Sequence, residues 1–337
     1  MLANSVTFIV TTGITCWLAF SGHGPISFAW GSVAGVTAGL IVATIAAPFI
    51  VLPGWNARQA RELLRFGLPL AGASLLVLAV FNVDSAITGA LLGSAALGLY
   101  QLAFNISSWP SRSISETFRR ISFAGFSRVA DSAEFLADAF VRAFGLVVAC
   151  TIPPCVLLAT LAEPLIRLIY GPRWTGAAQV LIWLAILGLL RVVYDLIYDF
   201  LAAAGKRPSL LAVQGWWLAA LIPVLLIGAR DHGIVGVGAG HVLVAGLLVG
   251  PAFLWVMSRS GVKVRSILVV CLRPFLGGIL MIAICEFVLR FLGEGLVGVA
   301  VAVVAGLAIY LPVIFPMRAL LRRSGAGRPA LDEVRTA

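Results

Sequence analysis

Charge is what this chain has least of. Only 11% of its 337 residues are Asp, Glu, Lys or Arg, against about a quarter in a typical soluble domain, while 61% are hydrophobic and the mean hydropathy is +1.05. That balance excludes a soluble globular protein. Cysteine is sparse and unpatterned. Cys16, Cys150, Cys155, Cys271 and Cys285 fall in or beside apolar stretches without a CxxC pair, and the three histidines do not cluster, so neither a disulfide framework nor a metal site is expected. No Gly-x-x-x-x-Gly-Lys phosphate loop occurs, which argues against direct ATP hydrolysis. The strict alternation of a membrane β-barrel is missing. The first apolar run lacks a basic leader and an A-x-A-like cleavage site, so it reads as a span rather than a signal peptide. No connection is long enough to house a soluble catalytic domain, which leaves function to the membrane-embedded part.

What is present is a series of long apolar runs, at residues 3–21, 26–52, 66–92, 94–112, 139–162, 177–205, 209–229, 234–257, 267–290 and 296–317. Lipid offers no partners for backbone N–H and C=O groups, and each run approaches or exceeds the roughly 20 residues needed to cross as a helix. The expected fold class is therefore all-α polytopic, with about ten transmembrane helices. The net charge of +10 is distributed as a topology signal. Alternate connections (53–65, 113–138, 206–208, 258–266 and 318–337), with their flanks, hold 19 of the 24 Lys and Arg, which places both termini on the cytoplasmic side. That placement accounts for the basic balance without nucleic acid. Segment 113–138 carries Ile114, Phe118, Ile121 and Val129 on one helical stripe and is expected to lie at the inner interface. Segment 163–174 reads as a short outer amphipathic turn, and the tail 318–337 as disordered.

Against this apolar background a few ions stand inside spans, where one charge costs roughly 2.5–3.5 kcal/mol even on lenient insertion scales. Asp84 lies in the third span. Arg191, Asp195 and Asp199 follow one another at i, i+4 on one face of the sixth. Arg191 offers a permanent, forked cation suited to phosphate, or forms an ion pair with Asp195; Tyr194 and Tyr198 alongside are suited to stack on sugar rings or donate hydrogen bonds. Asn82 precedes Asp84 by two residues. Gln101 and Asn105 share a face of the fourth span and are expected to line the same cavity. Pro153-Pro154 removes two donors from the fifth span, the chemistry of a hinge. His23, His232 and His241, at span ends or beside glycines, receive no role.

An internal similarity relates two parts of the chain. Gly22-His23-Gly24 opens the second span and Asp231-His232-Gly233 the eighth, and the same shift of 209 superposes Gly31 on Gly240 and Val33 on Val242. Repeats of this kind are common in secondary transporters. The shift puts the counterpart of the third span roughly 140 residues ahead of Met1.

Residues further along carry a family resemblance. Phe66-Gly67-Leu68-Pro69-Leu70, Asn82-Val83-Asp84, Leu92-Gly93, Leu97-Gly98-Leu99-Tyr100, Ala103, Asn105 and Trp109-Pro110 come in order, followed by Ile169-Tyr170-Gly171-Pro172-Arg173-Trp174 and Ala177-Ala178. Together they resemble the polysaccharide-transporter branch of the multidrug/oligosaccharidyl-lipid/polysaccharide exporter superfamily, the Wzx-type flippases, over about residues 14–317. The resemblance implies two six-helix lobes around an alternately opening cavity, and it extends to Asn82 and Asp84, for which it implies a cavity-facing or proton-handling role, the alternative being a structural hydrogen bond to a neighbouring helix. It makes 1–52 the last two helices of the first lobe, 53–65 a cytoplasmic linker, 66–257 the complete second lobe, 258–317 an additional helix pair and 318–337 a cytoplasmic tail. The first four helices of the family pattern have no counterpart in the chain. The implied function is not enzymatic: translocation of a lipid-linked oligosaccharide or polysaccharide precursor across the cytoplasmic membrane, with no cofactor and with a proton or sodium gradient as the family-level energy source. Implied partners are the lipid-linked glycan, membrane lipids, and a polysaccharide polymerase and glycosyltransferases of the same pathway. The competing readings are a multidrug exporter of the same superfamily, an integral-membrane glycosyltransferase or polymerase, and a truncated transporter without activity.

Overall fold

Two breaks in otherwise continuous helix set the architecture. In a computed structural model describing residues 2–46, 57–128, 132–205 and 207–317, the described residues contain no strand and form ten α-helices. These are α1 (Leu2–Phe20), α2 (Ile26–Ala46), α3 (Ala57–Arg128), α4 (Ala133–Thr160), α5 (Ala162–Tyr170), α6 (Gly176–Ala203), α7 (Arg207–Leu243), α8 (Gly250–Ser258), α9 (Val264–Leu292) and α10 (Leu296–Ile314). A π-helical turn, Val244–Val249, joins α7 to α8. Eight helical stretches are long and apolar enough to cross a membrane. Two of them, Leu78–Arg119 (42 residues) and Ala212–Ser258 (47 residues), are about twice the length a 30 Å core requires at roughly 1.5 Å per residue. α3 is broken at Gly93 (φ 85°, ψ 178°) and α7 at His232 and Gly233 (φ 58°). Only glycine takes such positive φ without steric cost. Each double helix is thus two limbs, and the ten crossings expected from hydropathy are recovered among the described residues.

The end of the expected second span (47–52), the start of the expected linker (53–56), Val129 and the side chain of Ile121 in the expected interfacial stripe, and the tail 318–337 lie outside the described residues. The interfacial expectation for 113–138 is corrected in its first part. α3 continues unbroken past Arg112, and Ile114 and Phe118 pack partly buried against the core. The helix also continues through Pro153 and Pro154 of α4.

The chain divides into two compact units, residues 1–68 and 69–337. In the first, α1 and α2 pair through small residues. Gly31, Gly35 and Gly39 are buried on α2, and a methyl group there would fall 1.9, 1.8 and 2.1 Å from the hydroxyl oxygens of Thr15, Thr11 and Thr7. Close approach of this kind drives helix pairing in lipid, where apolar burial alone gives no preference. The Thr7 hydroxyl donates to the Ala3 carbonyl at 2.9 Å, so it brings no unsatisfied donor into the contact.

In the second unit α6 is the central helix, packed against α4, α5, α7 and α8, while α9 and α10 pair and lie against α4. Phe126, Phe140, Phe144 and Phe200 interlock at one end, with ring centroids 4.5–6.3 Å apart. At α5, Arg167 pairs with Glu163 on its own helix and, at 3.0 Å, with Glu294 in the α9–α10 turn.

The α1–α2 contact yields a direct test. Gly35→Val is expected to cost about 1–3 kcal/mol through overpacking, whereas Gly13→Ala, at a site with nothing within 4 Å, should cost nothing. Thermal unfolding of the purified chain in detergent separates the two.

Candidate functional site

The site is built around a carboxylate with no access to solvent. Asp84, on the first limb of α3, is 0% exposed. Its Oδ2 accepts a hydrogen bond of 2.8 Å from the Tyr100 hydroxyl, on the second limb just past the Gly93 break. The break folds the two limbs back on each other and brings residues 16 apart into contact. From α7, His241 places Nδ1 3.4 Å from the same oxygen, and from α6 Arg191 places Nη2 at 3.9 Å. Four helical segments therefore converge on one anion. A buried charge is tolerated only with such company, because removing one partner of a buried pair costs about 3–5 kcal/mol.

Arg191 faces two ways. Its guanidinium carbon lies 4.9 Å from the Phe81 ring centre and 5.0 Å from that of Phe104, a cation held between two aromatic faces. Its side chain is 12% exposed, the buried Nη2 makes no hydrogen bond among the described residues, and the residue forms part of a cavity wall. That cavity, about 570 Å³, lies wholly within the second unit. Phe81, Asn82, Phe104 and Arg191 close one end. From there it runs along the second limb of α3, where Ser107, Ser108, Ser111 and Ser115 recur at helical spacing on one wall, the Ser107 and Ser111 hydroxyls donating to the Phe104 and Ser107 carbonyls. Tyr194, Tyr198, Trp217 and Phe253 form an aromatic wall opposite, with Trp217 edge-on to Tyr194 at 5.5 Å.

Charged groups line the other end. The Ser115 hydroxyl donates to Asp195 at 2.7 Å, and Arg119 Nε lies 3.4 Å from Asp199. Arg112 and Glu116 also line the cavity and form no ion pair among the described residues. Asp84, Asp195 and Asp199 are engaged within the protein, whereas Arg112, Glu116 and the cavity-facing side of Arg191 are not, so two cations and one anion are open to the cavity.

The π-helical turn contributes to the aromatic wall. The Tyr194 hydroxyl donates to the Ala245 carbonyl at 2.6 Å, and the Gly250 N–H is directed to the same oxygen. The residue that follows, Pro251, has no N–H to offer the ladder. A cavity residue of α6 is thereby tied to the irregular turn between α7 and α8.

Of the residues expected from sequence, Asn82, Arg191, Tyr194, Asp195 and Tyr198 line this one cavity; Asp84, expected to face it, instead is fully buried behind Arg191 and bonded to Tyr100 of the neighbouring limb. The Asn82 amide donates to the Leu78 carbonyl at 2.7 Å. Gln101 and Asn105 do not line the cavity, a correction to the expectation. Gln101 lies beyond the Phe81–Phe104–Arg191 end wall, where its carbonyl accepts from the Ser85 hydroxyl at 3.2 Å; Asn105 is turned about 100° from Phe104 and is exposed. Arg191 pairs with Asp84 rather than with its i+4 neighbour Asp195. Sequence reading also passed over His241, which is fully buried beside Asp84, and Trp217. The signal for His241 was its depth, seven residues inside an apolar span, where a polar ring is rarely placed without purpose.

The comparisons with known proteins agree with this architecture. The chain is 27% identical over 181 residues to the lipopolysaccharide biosynthesis protein WzxC of Escherichia coli, a match covering 54% of this chain and 37% of that protein. It is 24% identical over 288 residues to the succinoglycan biosynthesis transport protein ExoT of Rhizobium meliloti, covering 83% of this chain and 57% of the relative. It therefore spans between about two fifths and three fifths of the length of these curated relatives. Among solved structures, a lipid II flippase MurJ in an inward closed conformation superposes with a TM-score of 0.73 at 15% identity, covering 95% of this chain and 68% of that one. That likeness establishes a MurJ-like polytopic membrane fold. The family model described as polysaccharide biosynthesis protein matches residues 1–179, more than half of the chain, and the protein belongs to that family.

Proposed function

We propose that this chain carries the glycan-handling cavity of a flippase that moves a lipid-linked oligosaccharide or polysaccharide precursor across the cytoplasmic membrane by alternating access. The observation that carries the reading is the composition of the 570 Å³ cavity: serines on one wall, aromatic faces on the other, and two arginines, Arg112 and Arg191, in its lining. A glycan on a phosphate-bearing lipid asks for those three things, aromatic stacking and hydrogen bonds for the sugar and a cation for the phosphate. The names of two relatives, a succinoglycan biosynthesis transport protein and a lipid II flippase, point the same way. No covalent step is needed, so the work is differential affinity between two states. In this reading residues 66–257 form the second lobe, 258–317 an added pair, both termini are cytoplasmic, and the polymerase and glycosyltransferases of the pathway supply and consume the substrate. A multidrug exporter for hydrophobic cations would favour an acidic cavity with few internal arginines, whereas Arg112, Arg119 and Arg191 line this one beside Glu116, Asp195 and Asp199, and the last two carboxylates are already engaged by Ser115 and Arg119.

Two experiments test this. With the gene at its native locus, Arg112→Ala and Arg191→Lys are each expected to lower surface glycan by roughly 10–100-fold, the scale of losing charge-assisted hydrogen bonds to an anion, while immunoblotting finds unchanged protein. Normal glycan display in both variants would remove the arginines from the mechanism. For orientation, Arg173→Cys should react with a membrane-impermeant maleimide in intact cells, and Arg259→Cys only after lysis; the reverse pattern would invert the proposed topology.

A further inference from the structure

The proline pair of α4 leaves a specific debt in the hydrogen-bond ladder, and another part of the chain meets it. In an α-helix the N–H of residue 153 would bond to the carbonyl of residue 149, but Pro153 has no N–H. The Ala149 carbonyl is thereby orphaned in a buried, water-poor stretch, where an unsatisfied backbone group is costly. The Tyr310 hydroxyl, from α10 and 161 residues away, donates to that oxygen at 2.8 Å. Tyr310 is completely buried. Two adjacent glycines of α9 make room for the arrangement. A methyl group at Gly277 would meet the Tyr310 ring at 2.9 Å, and one at Gly278 would meet Ile152 of α4 at 3.0 Å. One side of the α9 notch therefore seats the tyrosine, and the other seats the proline-bearing turn itself.

An adjacent face of that turn packs against α6. Cys155 is buried, and its sulfur lies 3.9 Å from where a Gly188 side chain would begin. Gly188 is a cavity-lining position of α6, one turn ahead of Arg191. We infer that Tyr310 is the surrogate donor for the missing Pro153 N–H, and that the α9–α10 pair thereby acts as a strap holding α4 against α6 at the level of the cavity. Tyr310 is a positioning residue in this scheme and touches no substrate. The inference does not depend on which substrate the cavity takes.

The native Cys155 reports on the strap. In the full chain in detergent or membrane, the rate of Cys155 alkylation by N-ethylmaleimide is followed by peptide mass spectrometry in wild type, Tyr310→Phe, Pro153→Ala and the double variant. Tyr310→Phe keeps the ring and removes only the hydroxyl. It should raise the rate about tenfold, the scale on which loss of one buried hydrogen bond acts. Pro153→Ala returns an N–H to the Ala149 carbonyl, so the double variant should fall back to within about twofold of Pro153→Ala alone. Should Tyr310→Phe fail to fold, recovery of folding in the double variant supports the same conclusion. Unchanged protection of Cys155 in Tyr310→Phe overturns the inference. So does an equal rise with and without Pro153, or failure of both tyrosine variants to fold.

Discussion

The second unit is organised around one buried electrostatic constraint, the carboxylate of Asp84 and the cations and donors gathered on it. In a medium without water, an ion fixes the position of everything that keeps it tolerable. Tyr100 fixes the fold-back of α3 at Gly93, Arg191 fixes the rotation of α6, and His241 fixes the second limb of α7. None of these elements can rotate by a fraction of a turn without exposing a charge to hydrocarbon. The cavity wall is assembled from the same helices, so its shape follows from this constraint. The long Arg191–Asp84 separation of 3.9 Å leaves the buried Nη2 without a hydrogen bond among the described residues, while the residue that carries it also forms part of the cavity wall.

Much of this was legible in the sequence because the background was so uniform. A chain with 11% charge makes each intramembrane ion conspicuous, and Asp84 and Arg191 stand out before any folding is considered. Helical spacing put Arg191, Asp195 and Asp199 on one face of α6, and all three line the cavity with Tyr194 and Tyr198 beside them. Depth was harder to read than direction. Gln101 points along much the same face as Arg112 yet lies beyond the aromatic end wall, and periodicity carries no information about where along its axis a helix meets a void. Pairing was harder still. Arg191 had an acidic neighbour four residues away, but its buried partner came from another helix 107 residues earlier. The three threonines facing three glycines in α1 and α2 were present at regular four-residue spacing. That pattern gains meaning only once the two helices are known to run antiparallel.

The 209-residue shift gains a physical basis from the geometry. Gly24 and Gly233, which it superposes, both take φ 58° and both open a helix. Gly31 and Gly240, also superposed, are both buried where two antiparallel segments pass closely, Gly31 on Thr15 and Gly240 on Val224 and Leu225. Each is the same local solution to reversing a chain within lipid: a glycine to turn, and another one or two turns later to let the returning helix approach.

The π-helical turn at Val244–Val249 illustrates how a wall can be specified by counting. A π turn holds one residue more than the α-helical register accommodates, and every side chain after it is rotated by about 100° relative to an uninterrupted helix. Phe253 reaches the aromatic side of the cavity only after that rotation. The identity of the aromatic surface is thus written partly as a length, and a drift of one residue between His241 and Phe253 would redirect α8 while leaving its composition untouched.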